Sequence, residues 1–87
     1  MKVIYKYKLV GRNTVLSLPK GALVLHADWQ RGEPQLWALV TPGEETEERK
    51  FLFIGTGHDI QETKLQHVSS FLIHGGEFVF HVLEVLA

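Results

Sequence analysis

One stretch of the sequence is decisive for the predicted fold: Gln66-His-Val-Ser-Ser-Phe-Leu-Ile-His-Gly-Gly-Glu-Phe-Val-Phe-His-Val-Leu-Glu-Val85. Its two halves are rich in β-branched and aromatic residues, which favour strands, and they flank the pair Gly75-Gly76. Two adjacent glycines can both adopt a positive φ, as a two-residue hairpin turn requires. We therefore predict a C-terminal Gly-Gly hairpin whose register is symmetric about this pair, with Phe71 opposite Phe80 and Ser70 opposite His81.

The second arm of this hairpin, Phe78–Val85, carries apolar side chains on both of its faces. A strand with one solvent-exposed face would alternate apolar and polar residues. We therefore expect this arm to lie in the centre of a two-layer core or in a contact between subunits, because an exposed apolar edge strand promotes aggregation. For so small a chain we expect a homo-oligomer that covers part of this surface.

The remainder of the chain consists of short segments with strand periodicity, separated by turn residues. Such segments cover residues 2–8, 14–18, 22–30, 35–41 and 49–57. Turn signals recur roughly every 8–12 residues, which is typical of all-β sandwiches and barrels. The predicted fold is all-β: a small sandwich or partly open barrel of about six to seven mostly antiparallel strands, forming a single domain over residues 1–87.

The connections between these segments carry more specific predictions. The first two strands can pair directly across the turn Gly11-Arg12-Asn13. A loop over Arg31-Gly-Glu-Pro34 would place Trp29 opposite Leu36 and His26 opposite Leu39. The acidic segment 42–48 is interpreted as a solvated loop or a single helical turn.

The two tryptophans, Trp29 and Trp37, are interpreted as anchors of the core or of an interface. The alternative applies to Trp37: if it is exposed beside His26 and Asp28, these side chains mark a recognition patch.

Composition excludes several classes of function. The chain has no cysteine, so disulfide scaffolds and thiolate metal sites are excluded. The net charge is −1 and the basic residues are dispersed, so duplex nucleic acid is not an expected partner. No apolar run approaches the roughly 20 residues that span a bilayer, and the N-terminus lacks the apolar core of a signal peptide. We therefore expect no membrane partner and a cytoplasmic location.

Five histidines are spread along the chain, at His26, His58, His67, His74 and His81. Zinc needs three or four ligands that converge on one point. The predicted register places His67 opposite Glu84 and on the other face from His81, and it keeps His74 and His81 apart. We therefore expect neither a metal site nor a cofactor.

The sharpest local feature is the loop Gly55-Thr56-Gly57-His58-Asp59, which interrupts a strand. Consecutive N–H groups in a glycine-rich loop can bind an anion, and the side chains of Thr56, His58 and Asp59 add polar groups. No helix follows, so the loop is neither a P-loop nor a dinucleotide fingerprint. The alternatives are a turn that closes the strand and a binding site for a small anionic ligand. That site would comprise Thr56, Gly57, His58 and Asp59, with Arg49 from the preceding strand and His81 from the hairpin.

Catalytic constellations are weak in this sequence. There is no cysteine nucleophile and no Gly-x-Ser-x-Gly motif. Ser70 is predicted to face His81, but no acid is placed to orient that histidine, and such a pair is more often structural. We therefore predict no catalytic residue and a non-enzymatic protein.

Several short motifs occur in a fixed order along the chain: Lys2-Val-Ile-Tyr-Lys-Tyr7, Leu18-Pro-Lys-Gly-Ala22, Leu36-Trp-Ala-Leu-Val40, Gly55-Thr-Gly-His58, His74-Gly-Gly76 and Phe78-Val-Phe-His-Val82. This ordered set resembles a family of short, uncharacterised all-β proteins encoded by bacteriophages and prophages, to which no activity is assigned. The resemblance implies a small viral accessory protein in the host cytoplasm that binds a host or phage protein.

Three hypotheses of function follow. The first is a non-enzymatic accessory protein that binds a host or phage protein, as a homo-oligomer. The second is a protein that binds or sequesters a small nucleotide-like molecule through the loop Gly55–Asp59. The third, with the least support, is a metal-dependent or acid–base enzyme.

Overall fold

The computed structural model describes residues 1–86, which form seven β-strands in two antiparallel sheets. The strands are β1 (Val3–Lys8), β2 (Asn13–Pro19), β3 (Leu23–Gln30), β4 (Glu33–Val40), β5 (Thr46–Gly55), β6 (Leu65–Ile73) and β7 (Phe78–Val85). One sheet has three strands in the order β1-β4-β3, and the other has four in the order β2-β5-β7-β6. The all-β prediction is confirmed, and the arrangement is sandwich-like; the strands of residues 1–86 do not close into a barrel.

The core lies between the two sheets and is built from the apolar side chains that alternate along each strand. Those that are at most 1% exposed are Leu18, Ala27, Leu36, Ala38, Val40, Phe51 and Val82. Leu52 is equally buried but lies on the opposite face of β5 from Phe51. Burying one such large side chain contributes roughly 1.5–3 kcal/mol. A hydrogen bond from the Ala27 N–H to the Ser69 hydroxyl, at 2.8 Å, links β3 of one sheet to β6 of the other.

Strand β7 lies inside the four-stranded sheet, between β5 and β6. This position agrees with the expectation of a central strand. One face of β7 lies on the core, where Val82 is fully buried, whereas Val79 on the other face is 38% exposed.

The longest connection, residues 56–64, leads from β5 to β6 past the intervening strand β7. It starts where Gly55 pairs with Phe80 and ends where Leu65 pairs with Val85, so it runs along the length of the sheet. It is attached to the outer side of that sheet by a contact of 3.8 Å between Lys50 and Glu62. Residues on both faces of β5 are consequently buried.

The prediction that the first two strands pair with each other is wrong. Strand β1 pairs with β4, and β2 pairs with β5 in the other sheet. Residues 9–12 carry the chain from one sheet to the other. The N–H of Leu9 donates to Pro34 in the three-stranded sheet, and the carbonyl of Arg12 accepts from Phe53 in the four-stranded sheet.

The predicted register of β3 against β4 is also wrong. The turn contains only Arg31 and Gly32, with φ of 53° and 79°, as in a type I′ hairpin. Trp29 therefore lies opposite Pro34, and His26 lies opposite Trp37. The shift is by two residues, so the side chains from His26 to Gln30 keep their predicted faces. The β-bulge between Val24 and His26 moves Leu23 to the opposite face from Ala27, where it lies beside Leu39.

The pairing of β6 with β7 follows the predicted register from Ser70 to Ile73, including Phe71 opposite Phe80. The connection is longer than the predicted two-residue turn: it spans His74–Glu77, and His74, Gly75 and Gly76 all have positive φ. A β-bulge at Val68 shifts the remaining pairs, so that His67 faces Leu83 and not Glu84.

The acidic segment 42–48 is only partly a loop. Strand β5 begins at Thr46, so Glu47 and Glu48 belong to it, and the strand ends at Gly55. The Glu47 carboxylate accepts a hydrogen bond from the N–H of Gly21 at 3.1 Å, which ties this end of the strand to the loop after β2.

Candidate functional site

The structure divides the predicted ligand-binding residues between two ends of β5. Arg49 lies near the start of the strand, whereas the loop 55–59 follows its end. At roughly 3.3 Å per residue, the separation from Arg49 to Gly55 is about 20 Å. No surface cleft described for residues 1–86 is lined by both groups.

Arg49 forms an ion pair with Glu84 inside the four-stranded sheet. Its Nε and Nη2 donate to the two carboxylate oxygens at 2.6 and 2.8 Å, and its Nη1 donates to the carbonyl of Ala22 at 2.6 Å. The two side chains are only 20% and 12% exposed. The hydrogen bond with Glu84 raises the pKa of Arg49, which is therefore charged at every accessible pH.

The environment of Arg49 does not resemble an anion site. Three of its N–H groups already have acceptors within the protein. The adjoining cleft of about 550 Å³ is lined by four glutamates, Glu47, Glu48, Glu62 and Glu84, and by one further cation, Lys50, which lies 3.8 Å from Glu62. These carboxylates repel an anion, so the geometry gives Arg49 a structural role in joining β5, β7 and the start of β3.

Residues Gly55 to His58 form a tight turn that closes β5. The N–H of His58 donates to the carbonyl of Gly55 at 3.2 Å, and Gly57 has φ of 90°, as the third residue of a type II turn requires. The imidazole of His58 folds back, and its Nδ1 accepts from the N–H of Gly55 at 3.2 Å. That contact assigns the proton of the neutral ring to Nε2, which is free to donate outward.

The absence of a side chain at Gly55 is required by this arrangement. A Cβ atom on Gly55 would lie 3.0 Å from Cε1 of His58. The next residue of the loop, Asp59, is held through its backbone, because its carbonyl accepts from Nη2 of Arg12 at 2.7 Å. The loop is thus fixed by three contacts with its own strand and with the turn before β2.

A cleft of about 300 Å³ lies between this turn and the start of β7. Its lining combines the apolar side chains of Phe78, Val79 and Phe80 with the polar groups of Thr56, His58 and Glu77, and with Gly55. It contains two of the predicted ligand-binding side chains, those of Thr56 and His58. A volume of this size is at the lower limit of small-molecule sites.

His81 is joined to the same turn by a chain of hydrogen bonds across the outer face of the four-stranded sheet. Its Nε2 lies 2.7 Å from the Thr56 hydroxyl, and its Nδ1 lies 2.7 Å from the Ser70 hydroxyl. Ser70 in turn lies 2.8 Å from Nε2 of His67. The predicted contact between Ser70 and His81 is therefore present.

The prediction that His67 and His81 occupy opposite faces is wrong, because the bulge at Val68 moves His67 by one position. The alternation of residues in the sequence could not reveal this series of hydrogen bonds. The two imidazoles are bridged by a hydroxyl and do not converge, and residues 1–86 contain no group of three or more potential ligands that could hold a metal ion.

The outer face of the three-stranded sheet carries an aliphatic row that crosses all three strands, consisting of Ile4, Leu39 and Leu23. Ile4 and Leu23 are each 58% exposed. In the next row, Trp37 stacks on His26 with ring centroids 6.1 Å apart. Trp37 therefore lies on this outer face and not between the sheets.

The aliphatic row and Trp37 together form one surface patch, and polar groups border it on two sides. The imidazole of His26 lies 3.5 Å from the carboxylate of Asp28 on one side. On the other side, Lys6 extends from β1 and donates to the side chain of Gln30 at 2.9 Å. Trp37 thus lies beside His26 and Asp28 as the recognition-patch alternative requires, but it is half-buried and not fully exposed.

Fold and site together define a small all-β protein with an exposed apolar sheet face and no metal-binding cluster among residues 1–86. The chain belongs to the family described as Domain of unknown function (DUF7352), whose model matches residues 1–87. No curated protein and no solved structure matches it. No helix within residues 1–86 has the length and apolar character needed to cross a membrane.

Proposed function

We propose that this chain is a non-catalytic binding protein that recognises another protein through the outer face of its three-stranded sheet. The observation that carries the proposal is the aliphatic row Ile4, Leu39 and Leu23, which lies exposed beside Trp37. Contiguous exposed apolar side chains with a tryptophan at their edge are typical of protein interaction sites.

The contrast between the two outer faces supports this choice. On the four-stranded sheet, the connection 56–64 lies over β5, and Leu52 and Ile54 are buried beneath it, although Leu72 and Val79 further along this face are exposed. On the three-stranded sheet, the corresponding side chains of Ile4 and Leu23 are exposed. A partner protein would supply the cover that the chain itself provides on the other side.

The chemistry of the patch indicates the partner. An aliphatic centre requires apolar side chains, and the ammonium group of Lys6 at its border favours an acidic group on the partner. The resemblance to phage-encoded proteins supports a host or phage protein in the host cytoplasm. We include self-association in the proposal, since many small binding proteins act as homo-oligomers.

Site-specific photo-crosslinking in bacterial cells tests the interaction surface. A photoreactive amino acid is placed at Leu23 and, in a matched control, at Leu72, which is 62% exposed on the other sheet. We expect discrete cross-linked products from position 23 only, and their loss when Ile4→Glu is added. Equal products from both positions, or products that persist with Ile4→Glu, would contradict the proposal.

A second candidate function is small-molecule binding at the cleft between the turn 55–58 and β7. The favouring observation is that Thr56, His58 and Phe78 surround one cleft of about 300 Å³. Its lining includes the carboxylate of Glu77 and no lysine or arginine, so an uncharged or cationic ring suits it better than an anion.

Thermal-shift screening decides this second function, because a ligand that binds the folded state raises its stability. We expect any stabilising compound to lose its effect with Phe78→Ala and to keep it with Leu72→Ala. If nucleotides and aromatic amines at about 1 mM all leave the melting temperature unchanged, the cleft is not a site for these classes.

A further inference from the structure

The free edges of the two sheets differ in their protection against pairing. An exposed edge strand pairs readily with another chain unless charges, bulges or a covering segment prevent it. Backbone groups alternate in direction along the edge strand β1, and the N–H of the following residue, Leu9, points towards β4. The backbone groups of Lys6 and Lys8 therefore point away from β4, to the free edge. Two copies of β1 would bring lysines together.

The edges of β3 and β6 are protected in another way. Each contains a bulge, between Val24 and His26 in β3 and between His67 and Ser69 in β6. These two edges also face each other, because the N–H of Ala27 donates to the hydroxyl of Ser69. Neither strand offers a regular row of free backbone groups.

Strand β2 is the remaining edge. It has no charged residue and no bulge, and its one proline, Pro19, is its last residue. Its register with β5 is regular from Asn13 to Pro19. Val15 stands at its centre and is 56% exposed. Within residues 1–86, β2 pairs with β5 alone.

The direction of the backbone groups of β2 follows from the contacts at its two ends. The carbonyl of Arg12 and the N–H of Lys20 both bind the β5 side, at 2.8 Å each. Backbone groups alternate along a strand, so the odd-numbered residues of β2 point to the free edge. Pro19 belongs to that set, and its missing N–H therefore costs the sheet nothing, as is usual for proline in edge strands.

We infer that the β2 edge binds the β2 edge of a second copy of this chain, so that two four-stranded sheets join into one continuous sheet. An antiparallel pair of identical strands is related by a two-fold axis and is complementary to itself. The free groups belong to Asn13, Val15 and Ser17, because the carbonyl of Pro19 already accepts from Ala22. The register that uses all of them places Val15 opposite Val15 of the second copy and Asn13 opposite Ser17.

This pairing gives a definite site to the self-association included in the proposed function, and it leaves the aliphatic row of the other sheet open for a partner. It uses a surface different from the one that the sequence suggested. The strand that was expected to form a subunit contact, β7, lies inside the sheet. The bare edge is instead β2.

Sedimentation velocity of the full chain over a range of concentrations tests the inference. The wild-type chain is expected to dimerise as its concentration rises. Ser17→Pro removes the edge N–H of Ser17 and no hydrogen bond to β5, so it should weaken the dimer by roughly 30-fold through the two bonds lost per dimer. Lys6→Pro is the matched control, because it changes the edge of β1 in the same way and should leave the dimer intact.

A charge-exchange experiment tests the register independently of any effect of proline on folding. Val15→Lys and Val15→Glu should each be monomeric, since like charges would face each other at the two-fold axis, and an equimolar mixture should dimerise again. A monomeric wild type at all concentrations would refute both the edge pairing and self-association. A dimer that persists in Ser17→Pro and in both Val15 variants would refute the edge pairing alone.

Discussion

Removing the carboxylate of Glu84 is expected to destabilise the fold more than any surface substitution of a charged residue. The substitution Glu84→Ala takes away both acceptors of the Arg49 guanidinium, at 2.6 and 2.8 Å, and leaves it the carbonyl of Ala22. Arg49 cannot lose its charge, because its pKa is raised by the hydrogen bond with Glu84 from an already high value. The positive charge would remain in a site where the side chain is only 20% exposed.

The magnitude follows from the burial of the pair. Leaving one member of a buried ion pair without its partner costs about 3–5 kcal/mol. Because Arg49 keeps one acceptor and some exposure, we expect a loss of about 3 kcal/mol in the free energy of unfolding. For a chain of this length that loss lowers the melting temperature by roughly 10–20 °C.

Urea unfolding followed by tryptophan fluorescence measures this loss, and a double-mutant cycle apportions it. Arg49→Met combined with Glu84→Leu removes both charges, so the double variant should be more stable than Glu84→Ala. A loss below about 1 kcal/mol in Glu84→Ala would refute the reasoning, because such a value is typical of a solvent-screened surface pair. A double variant less stable than Glu84→Ala would also contradict it.

Three further substitutions have defined expected results. Gly55→Ala should cost about 1 kcal/mol of unfolding free energy, since its Cβ displaces the His58 ring and breaks their hydrogen bond; urea unfolding should show no such cost in a His58→Ala background. Arg31→Asn should raise the unfolding free energy by about 0.5–1 kcal/mol, because asparagine tolerates the positive φ before Gly32 better than arginine does, and an unchanged or lower value would contradict the type I′ turn. Glu62 should contribute to stability at neutral pH and lose that contribution as the pH falls below its ordinary pKa of 4.5, because its own N–H lowers its folded-state pKa; the melting temperature of Glu62→Gln should fall less than that of the wild type between about pH 6 and pH 3.

Period-two alternation was sufficient to predict the strands but not the way in which they pair. The fold class follows from alternation and turn residues, as the segment from Ser70 to Ile73 illustrates. A β-bulge adds one residue to a strand without disturbing the composition around it. The bulge at Val68 therefore moved His67 to the other face, and no feature of the sequence indicates it.

Turn chemistry misled the prediction at two places for a physical reason. Arginine is unfavourable at positive φ, so Arg31-Gly32 does not suggest a two-residue turn, although the structure has one. Conversely, Gly75-Gly76 suits a two-residue turn, yet His74 and both glycines adopt positive φ in a longer connection. In each case the flanking strands determine the connection.

The candidate site was predicted only in part, because the residues that form it are assembled by tertiary contacts. The loop at 55–58 does lie beside a cleft, and Thr56 does contact His81. Arg49 was associated with that loop because both belong to one strand, but a strand of this length separates its ends by about 20 Å. The aliphatic row was not recognised, since Ile4, Leu23 and Leu39 become neighbours only through pairing of β1, β4 and β3.

The topology explains why one sheet face is bare and why its side chains are informative. Among residues 1–86, only the connection 56–64 passes an intervening strand, and it covers the β5 part of the four-stranded sheet. Connections such as the turn Arg31-Gly32 are too short to cover the other sheet. If folding were the only requirement, polar side chains would be favoured on that uncovered face, and Lys6 is one such side chain there. Exposure alone does not set these side chains apart, since Leu72 of the other sheet is 62% exposed. Their arrangement in one row across three strands, beside Trp37, points to a requirement beyond folding, which a bound partner would satisfy.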